Sequence, residues 1–268
     1  MATIKVLLRD LQEEQDGLYA TVVAMPDQDW QLPTPSAGWN VADQIGHLAY
    51  FDDAAATAIL HPAQFADMKF QLENSLGRSV RDVDDLTLGP FRQLGSGELL
   101  GRWALARERL SQAARSLTRG QRVPWYGPSM SGESLLTARL METWAHGEDV
   151  NQAIGYERTP TMRLRHVSHL GFITRGWSYS NRGLELPDSP VWVRLVSPDG
   201  SLWCFGDSNA TDIVSGSALD FCRVVTQRRH VDDTHLELTG AGSREWLLLA
   251  QAFAGPPTTG PAASACLQ

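Results

Sequence analysis

The stretch Met141-Glu-Thr-Trp-Ala-His-Gly-Glu-Asp-Val150 puts Glu142 and His146 four residues apart. A helix repeats every 3.6 residues, so the two side chains stand one above the other on one face and can converge on one cation. Far upstream, Gly38-Trp-Asn-Val-Ala-Asp-Gln-Ile-Gly-His-Leu-Ala-Tyr-Phe-Asp-Asp53 carries His47 on a second segment of helical rhythm. Three protein donors with an open fourth position describe a catalytic metal site better than a structural one, which four donors close. E-x-x-x-H pairs are nevertheless common on amphipathic helices, and a lone histidine is more often a hydrogen-bonded structural residue. Spacing by itself leaves both readings open.

Around these stretches the helical periodicity continues. Val6, Leu7, Leu11, Leu18 and Val22 mark a first helix from Ile4 to about Met25, which Pro26 to Pro35 interrupt. A second starts from Asn40 as N-cap, with Asp43 placed as in a capping box, and its stripe of Val41, Ile45, Leu48 and Phe51 or Asp52 runs to about Leu60. Phe65 to Pro90 predicts one short helix and a loop. Ser96 is the expected cap of a third helix carrying Leu99, Leu100, Trp103 and Leu110, and Ser131 or Ser134 opens a fourth that ends near Gly155. Four such helices make a bundle, and bundles set ligands on facing helices, pointing inward.

Beyond about residue 158 the pattern changes. Val191-Trp-Val-Arg-Leu-Val196 alternates, Pro198-Asp-Gly200 turns, and Ser201-Leu-Trp-Cys-Phe205 returns. Asp212-Ile-Val214 and His235-Leu-Glu-Leu238 read as further strands; Arg163–Arg175, Ser217–Val225 and Ser243–Phe253 read as helices. The division expected is a bundle over 1–157, an α/β domain over 158–257 and a flexible, Pro- and Gly-rich tail over 258–268.

Composition narrows the function. Apolar residues at 43% and charged residues at 20% fit a globular chain, and a net charge of −8 argues against a nucleic-acid partner, which wants a basic face. No apolar run approaches a membrane span, and acidic residues follow the first apolar stretch at once, so no membrane association is expected and the cytoplasm is. Cys204, Cys222 and Cys266 are few and scattered, which disfavours a disulfide framework. Cys222 reads as a small buried hydrophobe and Cys266 as part of the tail.

The residues Gly38-Trp-Asn-Val41, Asp43 and His47-Leu48 resemble the second helix of the DinB-like metal-binding bundles. Val123-Pro-Trp-Tyr-Gly-Pro-Ser-Met-Ser131, leading into Arg139-Leu-Met-Glu-Thr-Trp-Ala-His-Gly147, is similar to their fourth. Within that superfamily the likeness is nearest to the mycothiol-dependent maleylpyruvate isomerase branch, where one ligand is Glu, and it runs from about Ile4 to Gly255. The stretches Ala218-Leu-Asp-Phe-Cys-Arg-Val-Val-Thr-Gln-Arg-Arg-His230 and Ala250-Gln-Ala-Phe-Ala-Gly-Pro-Pro257 resemble the sterol-carrier-like domain that accompanies the bundle in that branch. The fold class expected is therefore α+β, a DinB-like four-helix bundle followed by a smaller α/β domain.

The resemblance implies that His47, Glu142 and His146 hold a metal. Two imidazoles and a carboxylate suit zinc, with manganese, nickel or iron admissible, and the same set describes oxygen-activating iron sites. The likeness, not the ligand types, favours zinc. It implies mycothiol as thiol cosubstrate and a small electrophile as substrate, in a monomer or homodimer. The reaction expected is an isomerisation if the thiol departs again and an S-transfer if it stays. Hydrolase or lyase chemistry on a metal-bound water, and a non-catalytic metal-binding role, are the alternatives.

Other side chains carry two readings each. Asp43 serves as a cap or as a hydrogen-bond partner for His47. Arg139 pairs with Glu142 at i,i+3 or binds an anionic substrate, and Tyr126 with Trp125 walls a pocket, Tyr126 as proton donor, or simply packs. Arg228 and Arg229, next to His230, hold the carboxylate of the thiol or substrate or form a solvated helix end. His166 and His169 read as structural.

Overall fold

The computed structural model describes residues 2–76 and 79–264 and divides them after Glu157 into two compact units. In the first, helix α1 (Ile4–Val23) is capped by Thr3, whose hydroxyl accepts from Val6 N. Helix α2 (Val41–Leu60) starts from a complete capping box: Asn40 Oδ1 accepts from Asp43 N at 2.8 Å, and Asp43 Oδ2 accepts from Asn40 N at 3.3 Å.

Residues 61–95 depart from the expected single short helix. They form α3 (Pro62–Leu76), α4 (Val80–Thr87) and α5 (Gly89–Arg92). Pro62, which looks like a breaker, takes the first helical position, where a missing N–H costs nothing and the fixed φ is already helical. Ser79 caps α4 by accepting from Asp82 N.

Helix α6 (Ser96–Ala114) begins one residue earlier than a Ser96 cap requires, because the Ser96 hydroxyl donates to Asp27 Oδ1 at 2.6 Å and Gly95 occupies the cap. Two short strands, β1 (Arg122–Val123) and β2 (Met130–Ser131), then pair antiparallel and hold the loop that carries Trp125 and Tyr126. Ser131 also caps α7 (Gly132–Ala153), accepting from Ser134 N at 3.1 Å. The two candidate caps thus resolve in favour of Ser131.

The core of this unit joins Leu18 and Val22 of α1, Val41, Ile45 and Leu48 of α2, Leu99 and Trp103 of α6, and Val150 of α7. Ala54, Ala55, Ala56 and Ala58 are all buried, so α2 presents small side chains along its second half and lets neighbouring helices approach closely. Full burial of each large apolar side chain contributes roughly 1.5–3 kcal/mol.

In the second unit, α8 (Leu164–Ile173) and α9 (Arg175–Ser180) precede a four-stranded sheet whose strands lie in the order β4 (Leu202–Gly206), β3 (Val191–Val196), β5 (Asp212–Ser217), β6 (Glu237–Thr239). Strand β3 (Val191–Val196) buries Val191, Val193 and Leu195 in strict alternation and pairs antiparallel with β4 (Leu202–Gly206) across the predicted turn, where Gly200 has φ +83°. Strand β5 (Asp212–Ser217) lies parallel to β3 on its other side. Ser217 caps α10 (Ala218–Val225) on Leu219 N, and Cys222 is buried there beside Ser168.

Strand β6 (Glu237–Thr239) and helix α11 (Ala241–Leu249) complete the unit. The helix expected to reach Phe253 stops four residues sooner. Gln251 N and Ala252 N turn to Ser178 Oγ and Val225 O instead, a tertiary gain that helical continuation would forfeit.

Thr258 N donates to Gln251 Oε1 at 3.3 Å and Ser264 N to Asp233 Oδ2 at 2.9 Å. Cys266 and the rest of the expected tail beyond 264 lie outside the described residues. Among the described residues, no helix is long and apolar enough to cross a membrane.

Candidate metal centre

Helices α2 and α7 bring His47, Glu142 and His146 together, with one donor atom of each within 4.8 Å of the others. Glu142 Oε2 lies 3.1 Å from His146 Nε2 and 3.6 Å from His47 Nε2. Tetrahedral donors with bonds near 2.0–2.1 Å stand about 3.3–3.4 Å apart, so these separations bracket what a small divalent ion requires. The side chains keep 17%, 21% and 10% of their surface in the order His47, Glu142, His146, so none of the three is sealed from solvent.

The chemistry of the donors supports the fit. His146 Nδ1 stands 2.5 Å from Gln44 Oε1. An amide oxygen only accepts, so the ring proton sits on Nδ1 and Nε2 turns a bare lone pair to the Glu142 carboxylate. With its hydrogen on Nδ1, His146 faces Glu142 lone pair to lone pair, a contact that a cation between them would relieve. One proton bridges a single pair; a divalent ion serves all three.

Burial pushes His47 down to about 3, His146 adds to that shift, and Glu142 opposes it. Burial alone would raise Glu142, but its contacts with the two imidazoles outweigh that and hold it well below the ordinary carboxylate range. At neutral pH His47 is uncharged and Glu142 ionised, the forms that bind metal.

Aromatic rings surround the cluster. The His47 ring lies 5.2 Å from Trp39 and 4.5 Å from Phe51, and Trp39 stacks 6.0 Å from His146. From the β1–β2 loop, Tyr126 meets Phe51 edge-on at 5.5 Å, and Trp125 stacks on Phe65 at 5.6 Å. The Tyr126 hydroxyl is buried and makes no hydrogen bond of normal geometry; burial, then the neighbouring Tyr50, pushes its pKa up.

Arg139 is not paired with Glu142, as the i,i+3 spacing suggests. It is 2% exposed, and its Nε donates to Asp52 Oδ1 at 3.0 Å. Asp52 is fully buried and accepts also from Gln15 Nε2 and Trp103 Nε1. The Arg139 guanidinium lies 6.0 Å from the Phe51 ring, and its Nη2 has no hydrogen-bond partner. The buried Asp52 carboxylate gives this buried cation an opposite charge.

Asp43 makes no contact with His47. Its carboxylate serves the capping box and accepts from Arg92 Nε at 2.8 Å, and the side chain that meets an imidazole of the cluster is Gln44, one residue further on. Gln44 and Asp52 are the residues that sequence reasoning missed as parts of this region. Asp52 left a signal, a carboxylate at i+4 from Leu48 on an apolar stripe. Gln44 left none, since its partner lies 102 residues away.

In the second unit, Arg228 Nη1 donates to Thr226 O at 2.7 Å, Arg229 is exposed, and His230 accepts from Asp232 N as a helix cap.

A helical bundle that shares a two-His, one-Glu donor cluster between two of its helices has the architecture of the DinB-like class. The model for the N-terminal domain of mycothiol maleylpyruvate isomerases matches residues 11–151, which span all three donors. The chain belongs to that family. Two relatives, uncharacterized proteins from two strains of Mycobacterium tuberculosis, are each 41% identical over 260 residues, covering 97% of this chain and all of theirs.

Among solved structures, the mycothiol-dependent maleylpyruvate isomerase superposes with TM-score 0.57 at 16% identity, over 85% of this chain and 90% of that one. A histidine-to-alanine variant of it gives TM-score 0.58 at 15% identity, over 88% and 93%. At such identities the likeness is one of fold.

Proposed function

We propose that this protein is a metal-dependent enzyme that uses a low-molecular-weight thiol, mycothiol, for isomerisation of, or S-transfer to, an electrophilic small molecule. The carrying observation is the convergence of His47, Glu142 and His146 within a family named for a mycothiol-using isomerase. A three-donor set with one open side suits zinc in a catalytic role. When bound, the ion acidifies a thiol at its remaining position and so supplies a nucleophilic sulfur at neutral pH.

The chain's own residues do the rest. Glu142 and the two imidazoles hold the ion with a single negative charge. Trp39, Phe51 and Trp125 keep the surroundings apolar and exclude water. Tyr126, a neutral phenol whose hydroxyl has no hydrogen-bond partner among the described residues, donates a hydrogen bond to an oxygen of the electrophile. Arg139, anchored on Asp52, adds positive potential from behind Phe51 and lowers the basicity of His47. Arg228 and Arg229 take a carboxylate of the thiol cosubstrate. Addition of the sulfur to a conjugated C=C forms a C–S bond and moves the π pair onto the substrate's carbonyl oxygen; return of that pair expels the thiolate and gives the isomer, whereas protonation of the carbon keeps the sulfur and gives the S-conjugate. The reaction belongs in the cytoplasm, where a free thiol cosubstrate stays reduced.

The test begins with elemental analysis and mass spectrometry of the purified protein. An assay with mycothiol follows, taking maleylpyruvate first and then other activated electrophiles. Consumption that requires both thiol and metal, and stops on chelation, is the expected result. Turnover in the absence of any thiol removes the thiol from the mechanism and assigns the metal to water activation. Arg229→Ala is expected to raise the KM for mycothiol several-fold with unchanged metal content; an unaltered KM takes Arg229 out of thiol binding.

A further inference from the structure

We propose that Gln44 is the positioning residue of the centre: its amide fixes the tautomer and orientation of His146, and its neutrality leaves the cluster poised for an anionic fourth ligand. The inference rests on the metal reading above.

The argument is one of donor and acceptor count. Trp39 O is a carbonyl and can only accept, so the Thr34 hydroxyl, 3.0 Å away, spends its hydrogen there. The Thr34 oxygen can then only accept from Gln44 Nε2, at 2.8 Å. That contact orients the amide and turns Oε1 to His146 Nδ1, which must carry the ring hydrogen. Nε2 is left bare, facing Glu142. Gln44 is fully buried, so no solvent competes for either end of its amide. The turn before α2 thus dictates, through three side chains, which nitrogen a residue on α7 presents.

The neutrality of the amide is the second half. Imidazole ligands commonly lean on a carboxylate, which raises their basicity. A carboxylate is at hand: Asp149 Oδ2 lies 3.9 Å from Nδ1, past hydrogen-bonding range, and accepts from Ser36 Oγ at 3.2 Å. Gln44 takes the position that Asp149 does not reach. A divalent ion with Glu142 keeps one net positive charge, which a monoanion such as a thiolate neutralises. A charged acceptor in place of Gln44 would offset that charge beforehand.

Four proteins test this: wild type, Gln44→Met, Gln44→Glu and Thr34→Val. Nitrogen-15 spectra of the imidazoles in the metal-free protein read the His146 tautomer independently of metal. Chelator competition reads zinc affinity, and the thiolate-to-cobalt charge-transfer band reads binding of 2-mercaptoethanol to the cobalt-loaded protein.

The wild type is expected to carry its His146 proton on Nδ1. Gln44→Met loses zinc affinity about 10–100-fold. Thr34→Val, which frees the amide to turn without emptying the site, falls between the two. Gln44→Glu keeps zinc but binds the thiol several-fold more weakly, an effect that a merely structural role would not produce.

A wild-type proton on Nε2, or zinc affinity in Gln44→Met within about twofold of wild type, overturns the positioning role. Unchanged thiol binding in Gln44→Glu overturns the charge argument. A wild type with Nδ1 protonated that takes up no zinc sinks the metal reading instead, so the two failures are distinguishable.

Discussion

His146→Ala emerges from purification without metal and without thiol-dependent turnover, yet with the helical content of the wild type. If about 10–16 kcal/mol of apparent zinc affinity is spread over four donors, one imidazole is worth roughly 3 kcal/mol, more than a hundredfold in affinity. The substitution also strands the Gln44 amide oxygen, at about 1–3 kcal/mol. Neither loss reaches the apolar contacts of Ile45, Leu48, Trp103 and Val150 that hold α2, α6 and α7 together. Elemental analysis beside far-ultraviolet circular dichroism checks both halves. Stoichiometric metal retained in this variant would show that the donors have been misassigned.

Asp52→Ala is expected to have the largest effect on stability. The carboxylate is fully buried and receives Arg139, Gln15 and Trp103, so its removal leaves a buried guanidinium and two further donors without an acceptor. Removing one partner of a buried ion pair costs about 3–5 kcal/mol, against a total stability on the order of 5–15 kcal/mol. Thermal or urea unfolding should place the bundle transition well below that of the wild type. The paired replacement Asp52→Leu with Arg139→Met removes both charges together and should recover most of the loss. A single variant that unfolds at the wild-type midpoint would mean that the pair contributes nothing.

These two side chains also mark where the sequence stops being readable. The capping box at Asn40 and Asp43, the helices around it and the turn at Pro198-Asp199-Gly200 are local devices, so their residues announce them. The convergence of His47 with Glu142 and His146 was legible because helical spacing fixes two of the three and the family resemblance supplies the third.

Contacts decided by a distant partner were not. Asp52 sits on an apolar stripe where either it or Phe51 fits the period, and its partners Gln15, Trp103 and Arg139, on three other helices, settle which is buried. Ser96 looks like a cap until Asp27 claims its hydroxyl. Pro62 reads as a stop and acts as a start. Gln44 gives no pattern at all, because a polar residue on a helix looks the same facing water or facing an imidazole.

The hairpin formed by β1 and β2 bolts the Trp125–Tyr126 loop to the first turn of the helix that carries Glu142 and His146, since Ser131 both pairs with Arg122 and caps α7. The Trp125 and Tyr126 rings are therefore mounted on a short hairpin, while the three clustered donors stand on α2 and α7. Replacing residues 124–129 while keeping Arg122–Val123 and Met130–Ser131 should therefore change which small molecule the proposed enzyme accepts and leave its metal content unaltered.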